Sequence, residues 1–155
     1  MYINLSEDMY TPGSNFIFGE TRRKILSDGT IPADYYMSTD IPYVKGSIIS
    51  LNRILKWYGE RWALPTFGIM MHELGHVFGI PPSTSPYFIR ENDRRSKSWL
   101  DYGHCENRNC IMEQVNSPGR LDLLEKAEYV QRHNQNWFCW YDLKTLEENL
   151  RRLYA

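Results

Sequence analysis

The chain has 155 residues, a formal net charge of −1, 42% hydrophobic and 24% charged residues. That length suits a single domain with a real core, residues 1–155, and the near-neutral charge excludes the broad basic footprint of a nucleic-acid binder or membrane-surface protein. No run approaches the roughly 18 apolar residues that span a bilayer, and the start, Met1 to Asp8, lacks the basic-then-apolar pattern of a secretory leader.

In chain order, residues 1–20 read as a short strand, a turn at Thr11-Pro12-Gly13 and a second strand, Asn15-Phe16-Ile17-Phe18-Gly19. Residues 21–46 are polar, with a turn signal at Asp28-Gly29 and a candidate strand over Asp34–Ser38. Ser47-Ile48-Ile49-Ser50-Leu51 predicts a buried strand, and Leu51, Ile54, Leu55 and Tyr58 continue it at helical spacing, so strand and helix both fit there. From Leu64 to Phe78 the pattern is helical: Pro65 suits a first turn, Gly79 a stop, and Pro81-Pro82 forbid continuation. Residues 81–103 read as a polar surface loop, and the basic pair Arg94-Arg95 as a solvated face. Two further helices are predicted, over Leu121–His133 and Leu143–Tyr154.

The chemistry concentrates in His72-Glu73-Leu74-Gly75-His76. Positions four apart share one face of a helix, so His72 and His76 can present two nitrogens to one ion. Glu73, next to the first ligand, can take a proton from water on the metal, as zinc hydrolysis requires. A catalytic zinc needs a third protein ligand, and the next histidine is His104, in Gly103-His104-Cys105. Asp101, Glu113, Glu125 and Glu128 are alternative third ligands, as in a zincin of another clan. Cys105 and Cys110 are spaced so that a tight loop can bring both thiolates to one ion, Cys139 can supply a third, and Asp142 stands where a Cys-x-x-Cys pair would put the fourth; buried cysteines without a metal fit the same residues. Three cysteines are an odd set for a disulfide framework, so the expected location is the cytoplasm.

These blocks resemble the archaemetzincins, small metzincin-like zinc proteins. The resemblance is carried by His72 to Gly79, His104-Cys105, Cys110-Ile111-Met112 and Phe138-Cys139, with upstream similarity at Asp8–Gly13, Asn15–Glu20 and Ser47–Arg53. It implies an α+β metzincin-like zincin: a small mixed β-sheet packed on an active-site helix, followed by C-terminal helices. It implies a zinc metallopeptidase in which His72, His76 and His104 bind the catalytic zinc and Glu73 is the general base. Met112 would form the methionine turn beneath the metal, and Cys105, Cys110 and Cys139 would hold a second, structural zinc. Phe16, Ile17, Phe18 and Gly19 would line the cleft edge where an extended peptide pairs.

Three departures from the family pattern stand out. Asp142 occupies the place of a fourth cysteine, and insertions fall at residues 21–46 and 81–103, the second carrying Pro82 at the place where many metzincins have the third histidine. The family also has an N-terminal section before the segment matching Asp8, so the expectation is a fold reduced at its N-terminus or completed by other means. A zinc-holding interaction module without hydrolysis is the alternative function. The expected partner is a peptide or protein substrate, with no nucleic acid and no membrane.

Overall fold

A computed structural model describes residues 2–4, 19–21, 47–96, 101–115 and 119–154. Three short strands, β1 (Tyr2–Asn4), β2 (Gly19–Thr21) and β3 (Ser47–Ser50), form one sheet in the order β1-β3-β2. The sheet is mixed: β1 runs parallel to β3, with Ile3 opposite Ile49, and β2 runs antiparallel, with Gly19 opposite Ile49. The helices α1 (Leu51–Tyr58), α2 (Ala63–Val77), α3 (Leu123–His133) and α4 (Trp140–Tyr154) supply most of the regular structure. The expected small mixed sheet is present, and α2 lies against its strands β2 and β3 and against α3. Among the described residues no helix is long and apolar enough to cross a membrane.

Local chemistry sets the boundaries. Ser50 resolves the choice left open over Ser47–Tyr58: its hydroxyl accepts the Arg53 N–H at 3.3 Å, so the strand ends there and a capped helix begins. Gly59, at φ +55°, ends α1, and a single 3₁₀ turn over Gly59–Arg61 feeds α2. The stop of α2 is complete. Ile80 N–H donates to the Gly75 carbonyl at 3.0 Å and Gly79 N–H to the His76 carbonyl at 3.1 Å, with Gly79 at φ +76°. That is the Schellman pattern, which glycine enters at no steric cost.

Asp122 and Glu125 close a reciprocal capping box at the start of α3, two residues later than the pattern implied. The last helix begins one turn earlier than expected, because the Cys139 carbonyl already accepts the Leu143 N–H at 2.9 Å. Two buried clusters flank α2. One, of Ile49, Ile54, Ile69, Val115 and Leu123, backs the sheet. The other joins Ile80, Ile111, Met112, Val130 and Phe138 to all three cysteines, with Leu143 and Leu146 packed on it. The candidate strand over Asp34–Ser38 and the insertion over 21–46 lie outside the described residues, apart from Thr21 in β2.

The stretch 81–103 departs from the expected surface loop. Ile89 is fully buried and Ser85 nearly so. Ile89 N–H donates to the His104 carbonyl at 3.0 Å, and Gly103 N–H donates back to the Ile89 carbonyl at 2.9 Å. Arg95 is the knot that holds this return. Its guanidinium donates to Asp93, to Glu106 at 2.9 Å, to the Pro86 carbonyl at 2.8 Å and to the Phe88 carbonyl at 2.9 Å. Arg95 is therefore no freely solvated charge. The paired carboxylates drive its pKa above the usual arginine range, and the same contacts hold Asp93 well below the usual carboxylate range.

Candidate metal centres

The helix α2 presents His72 and His76 one turn apart, and both are buried, as is Glu73 between them. The clamp just described delivers His104 to the same point. His76 Nε2 lies 3.2 Å from His72 Nε2 and 3.3 Å from His104 Nε2. A carbonyl can only accept, so the remaining ring nitrogens fix the tautomers. His72 Nδ1–H donates to the Ile111 carbonyl at 2.8 Å, and His104 Nδ1–H donates to the Tyr102 carbonyl at 3.1 Å. Both rings must then aim a lone pair from Nε2 at the shared point. Such backbone anchoring of the distal nitrogen is how metal-ligating histidines are held, and a three-imidazole set with one open side suits zinc.

Met112 packs against Gly75, the residue that precedes His76 on α2. A Cβ added at Gly75, between the two histidines, would penetrate the Met112 sulfur and crowd Ile80 at 3.1 Å. A side chain at the glycine inside the motif would thus displace the methionine packed on it.

The carboxylates weighed as third ligands are engaged elsewhere. Glu113 pairs with Lys126 and Arg120, both at 2.7 Å, and Asp101 faces Arg120 at 3.9 Å. Glu125 belongs to the capping box and Glu128 pairs with Arg61 at 2.8 Å. His104 is the residue that completes the set.

A second cluster gathers Cys105, Cys110, Cys139 and Asp142, whose ligand atoms all lie within 4.8 Å of one another, as do those of the histidine set. All four residues are buried. Cys110 Sγ donates to Asp142 Oδ2 at 2.9 Å and accepts the Cys139 N–H at 3.2 Å, while Cys105 and Cys139 sulfurs stand 3.9 Å apart. The early start of α4 matters here, since it places Asp142 in the helix's first turn, facing the thiols.

Without a cation this cluster cannot hold four negative charges. Hydrogen bonds from Cys105 and Cys110 pull the Cys139 thiol well below its ordinary value. The others pay for that one thiolate: burial, then hydrogen bonding within the trio, pushes Cys110 well above its ordinary value. Hydrogen bonding to Cys110 favours the Cys105 thiolate, but its bond to Cys139 and its burial outweigh that and raise it. Burial, with the Cys139 charge adding to it, lifts Asp142 to about 7. Asp142 Oδ1 is also buried with no hydrogen-bond partner, a lapse that a cation would repair. Three thiols and a carboxylate, buried and converging on one point, have the donor chemistry of a structural zinc site.

Of the expected cleft residues, Gly19 lies in β2, the strand nearest α2 on the sheet's outer edge, while Phe16, Ile17 and Phe18 fall outside the described residues. What the sequence did not disclose are the Ile111 and Tyr102 carbonyls, Arg95 and the buried Lys126. Backbone acceptors carry no residue code, although Arg95 lay in a basic pair that could have been weighed as a structural knot.

The chain is 29% identical over 147 residues to an archaemetzincin of Methanopyrus kandleri, a match covering 95% of this chain and 55% of that protein. Archaemetzincins of Pyrococcus horikoshii and Pyrococcus abyssi are 29% and 28% identical, each over 96% of this chain and 55% of the relative. The chain spans about half the length of the curated relatives it matches. No family model and no solved structure matches it. By sequence, the chain is similar to the archaemetzincins over about half of their length.

Proposed function

We propose that this chain is a zinc-dependent metallopeptidase domain of metzincin-like fold that hydrolyses peptide bonds, with His72, His76 and His104 holding the catalytic zinc. The observation that carries the reading is the convergence of three Nε2 atoms, two of them turned into lone-pair donors by carbonyls behind them. A zinc ion held there supplies Lewis acidity, acidifying water and polarising a peptide carbonyl. The chain's own contribution is positional and acid–base. Glu73, fixed on α2 beside His72, takes the proton of the attacking water and returns it to the departing amine. Met112 holds the floor under the histidines through Gly75. The outer edge of β2, unpaired among the described strands, with α2 packed against the strand, supports a role for Gly19 in aligning an extended peptide, and Phe16, Ile17 and Phe18, which precede it in sequence, are proposed to share that role. Cys105, Cys110, Cys139 and Asp142 hold a second, structural zinc. The partner is a peptide or protein substrate rather than a nucleic acid or membrane, and the setting is cytoplasmic.

Elemental analysis joined to peptide hydrolysis tests this. Wild type should carry two zinc ions and cleave a mixed peptide library, and His104→Ala should lose one ion and the cleavage together. Full metal content and full cleavage in His104→Ala would sink the ligand assignment. Two ions in a wild type that cleaves nothing would favour the zinc-holding interaction module instead.

A further inference from the structure

One buried cation has no role in the chemistry above. Lys126, on α3, is fully buried, which lysine rarely tolerates unless paired. Its Nζ donates to Glu113 Oε2 at 2.7 Å and to the Arg108 carbonyl at 2.6 Å. Burial presses its pKa down while the Glu113 carboxylate beside it opposes the shift.

Arg108 and Glu113 bracket a short stretch that serves both metal centres. Cys110 contributes its sulfur to the thiol cluster. The Ile111 carbonyl sets the tautomer of His72. Met112 packs on Gly75 between the two helix histidines, and its carbonyl accepts the Cys105 N–H at 2.9 Å. One ammonium therefore grips both ends of the segment through which the two centres meet. The grip is stiff: the second Glu113 oxygen accepts from Arg120 at 2.7 Å, so the carboxylate is held from two sides. The frame is stiff as well. The next residue on α3, Ala127, approaches α2 so closely that a Cβ added at Gly68 would stand 3.1 Å from its own Cβ. Lys126 thus measures the position of residues 108–113 against the helix that carries His72 and His76.

Stability alone explains such an arrangement poorly. Replacing a buried ion pair by apolar groups is often neutral or stabilising, whereas a buried pair can fix one geometry among several. We propose that Lys126 is a positioning residue that staples residues 108–113 and couples the two metal centres, so that filling the thiol site tightens the histidine site. The inference rests on the reading of the histidine triad as a metal site.

Cobalt(II) titration of the full chain is the test, since thiolate-to-cobalt charge transfer reports the cysteine site and the visible ligand-field bands report both. In wild type, saturating the thiol site should raise affinity at the histidine site. Lys126→Met should weaken both by roughly tenfold or more, the loss typical of groups that orient metal ligands, and abolish the coupling. Glu113→Gln, which keeps the shape and the Arg108 contact, should weaken the histidine site more than the thiol site. A folded Lys126→Met, checked by circular dichroism, with both affinities and their coupling intact would overturn the proposal. Should Lys126→Met not fold, Glu113→Gln decides alone: unchanged binding at the histidine site overturns it. His72→Ala separates the two failures. If its ligand-field bands match those of wild type, the triad itself is not a metal site and the zinc reading falls with the inference.

Discussion

The histidine cluster consists of neutral donors, two buried and one half-buried, on a helix and a returning loop, whereas the cysteine cluster consists of acids, all buried, where a loop meets the start of α4. The contrast has consequences for any ion they hold. Three neutral imidazoles leave a dication's charge intact and its open side available, which is the condition for activating water. Three thiolates and a carboxylate reverse that charge and enclose the ion, which suits cross-linking and nothing more. The two clusters are joined through residues 104–113, so one stretch of chain serves both the histidine group and the cysteine–aspartate group.

The widest separation between them should come from Glu73→Ala. Removing a general base typically lowers the rate by about 10² to 10⁴-fold, and metal content should stay at the wild-type value. Hydrolysis assays with elemental analysis check it; a variant retaining wild-type rate would mean that the first centre does not work through Glu73. The opposite change is Asp142→Ala, which should empty the second centre or weaken it by at least about 10-fold, as ligand loss exceeds the typical cost of losing an orienting group. Asp142→Cys should restore or tighten it. If alanine and cysteine variants bind zinc like wild type, Asp142 is a buried acid without a metal.

Gly75→Ala probes where the histidine-bearing helix rests on the shared stretch. Alanine ordinarily favours a helix, yet here its methyl would meet the Met112 sulfur, so the expected result is a loss of about 1–3 kcal/mol from overpacking. Thermal unfolding of Gly75→Ala alone and combined with Met112→Ala measures the coupling. A stabilised single variant would show that the methionine is not packed there.

How much of this was legible follows from what each feature depends on. The motif helix and its end at Gly79 were readable because i, i+4 spacing and the Schellman stop are local. The grouping was readable from residue type: the structure gathers His104 with His72 and His76, and Asp142 with the cysteines. Ser47–Tyr58 was ambiguous because apolar spacing fitted two periods, and only the Ser50 cap chose between them. The start of α4 was missed because Cys139-Trp140-Tyr141 shows no helical stripe. The clamp over 81–103 was invisible for a different reason. Its anchors are carbonyls and a guanidinium whose partners lie up to eleven residues away, and none of that has a period.

That clamp provides the gentlest comparison, because it acts on one ligand of one centre. Arg95→Met removes the knot while leaving the stem to cover the same apolar surface. The backbone bonds of Ile89 to Gly103 and His104 remain, so His104 should loosen rather than leave. The expected outcome is a modest fall in zinc affinity at the histidine centre, smaller than that of Asp142→Ala at the cysteine centre, with KM less affected than kcat. High salt should narrow the difference between Arg95→Met and wild type, because the Arg95 side chain is about one-third exposed, at 31%, and its ion pairs are open to screening. Chelator competition at low and high ionic strength measures both effects. An equal loss at the two centres would place the action of Arg95 on the cysteine loop through Glu106, not on His104.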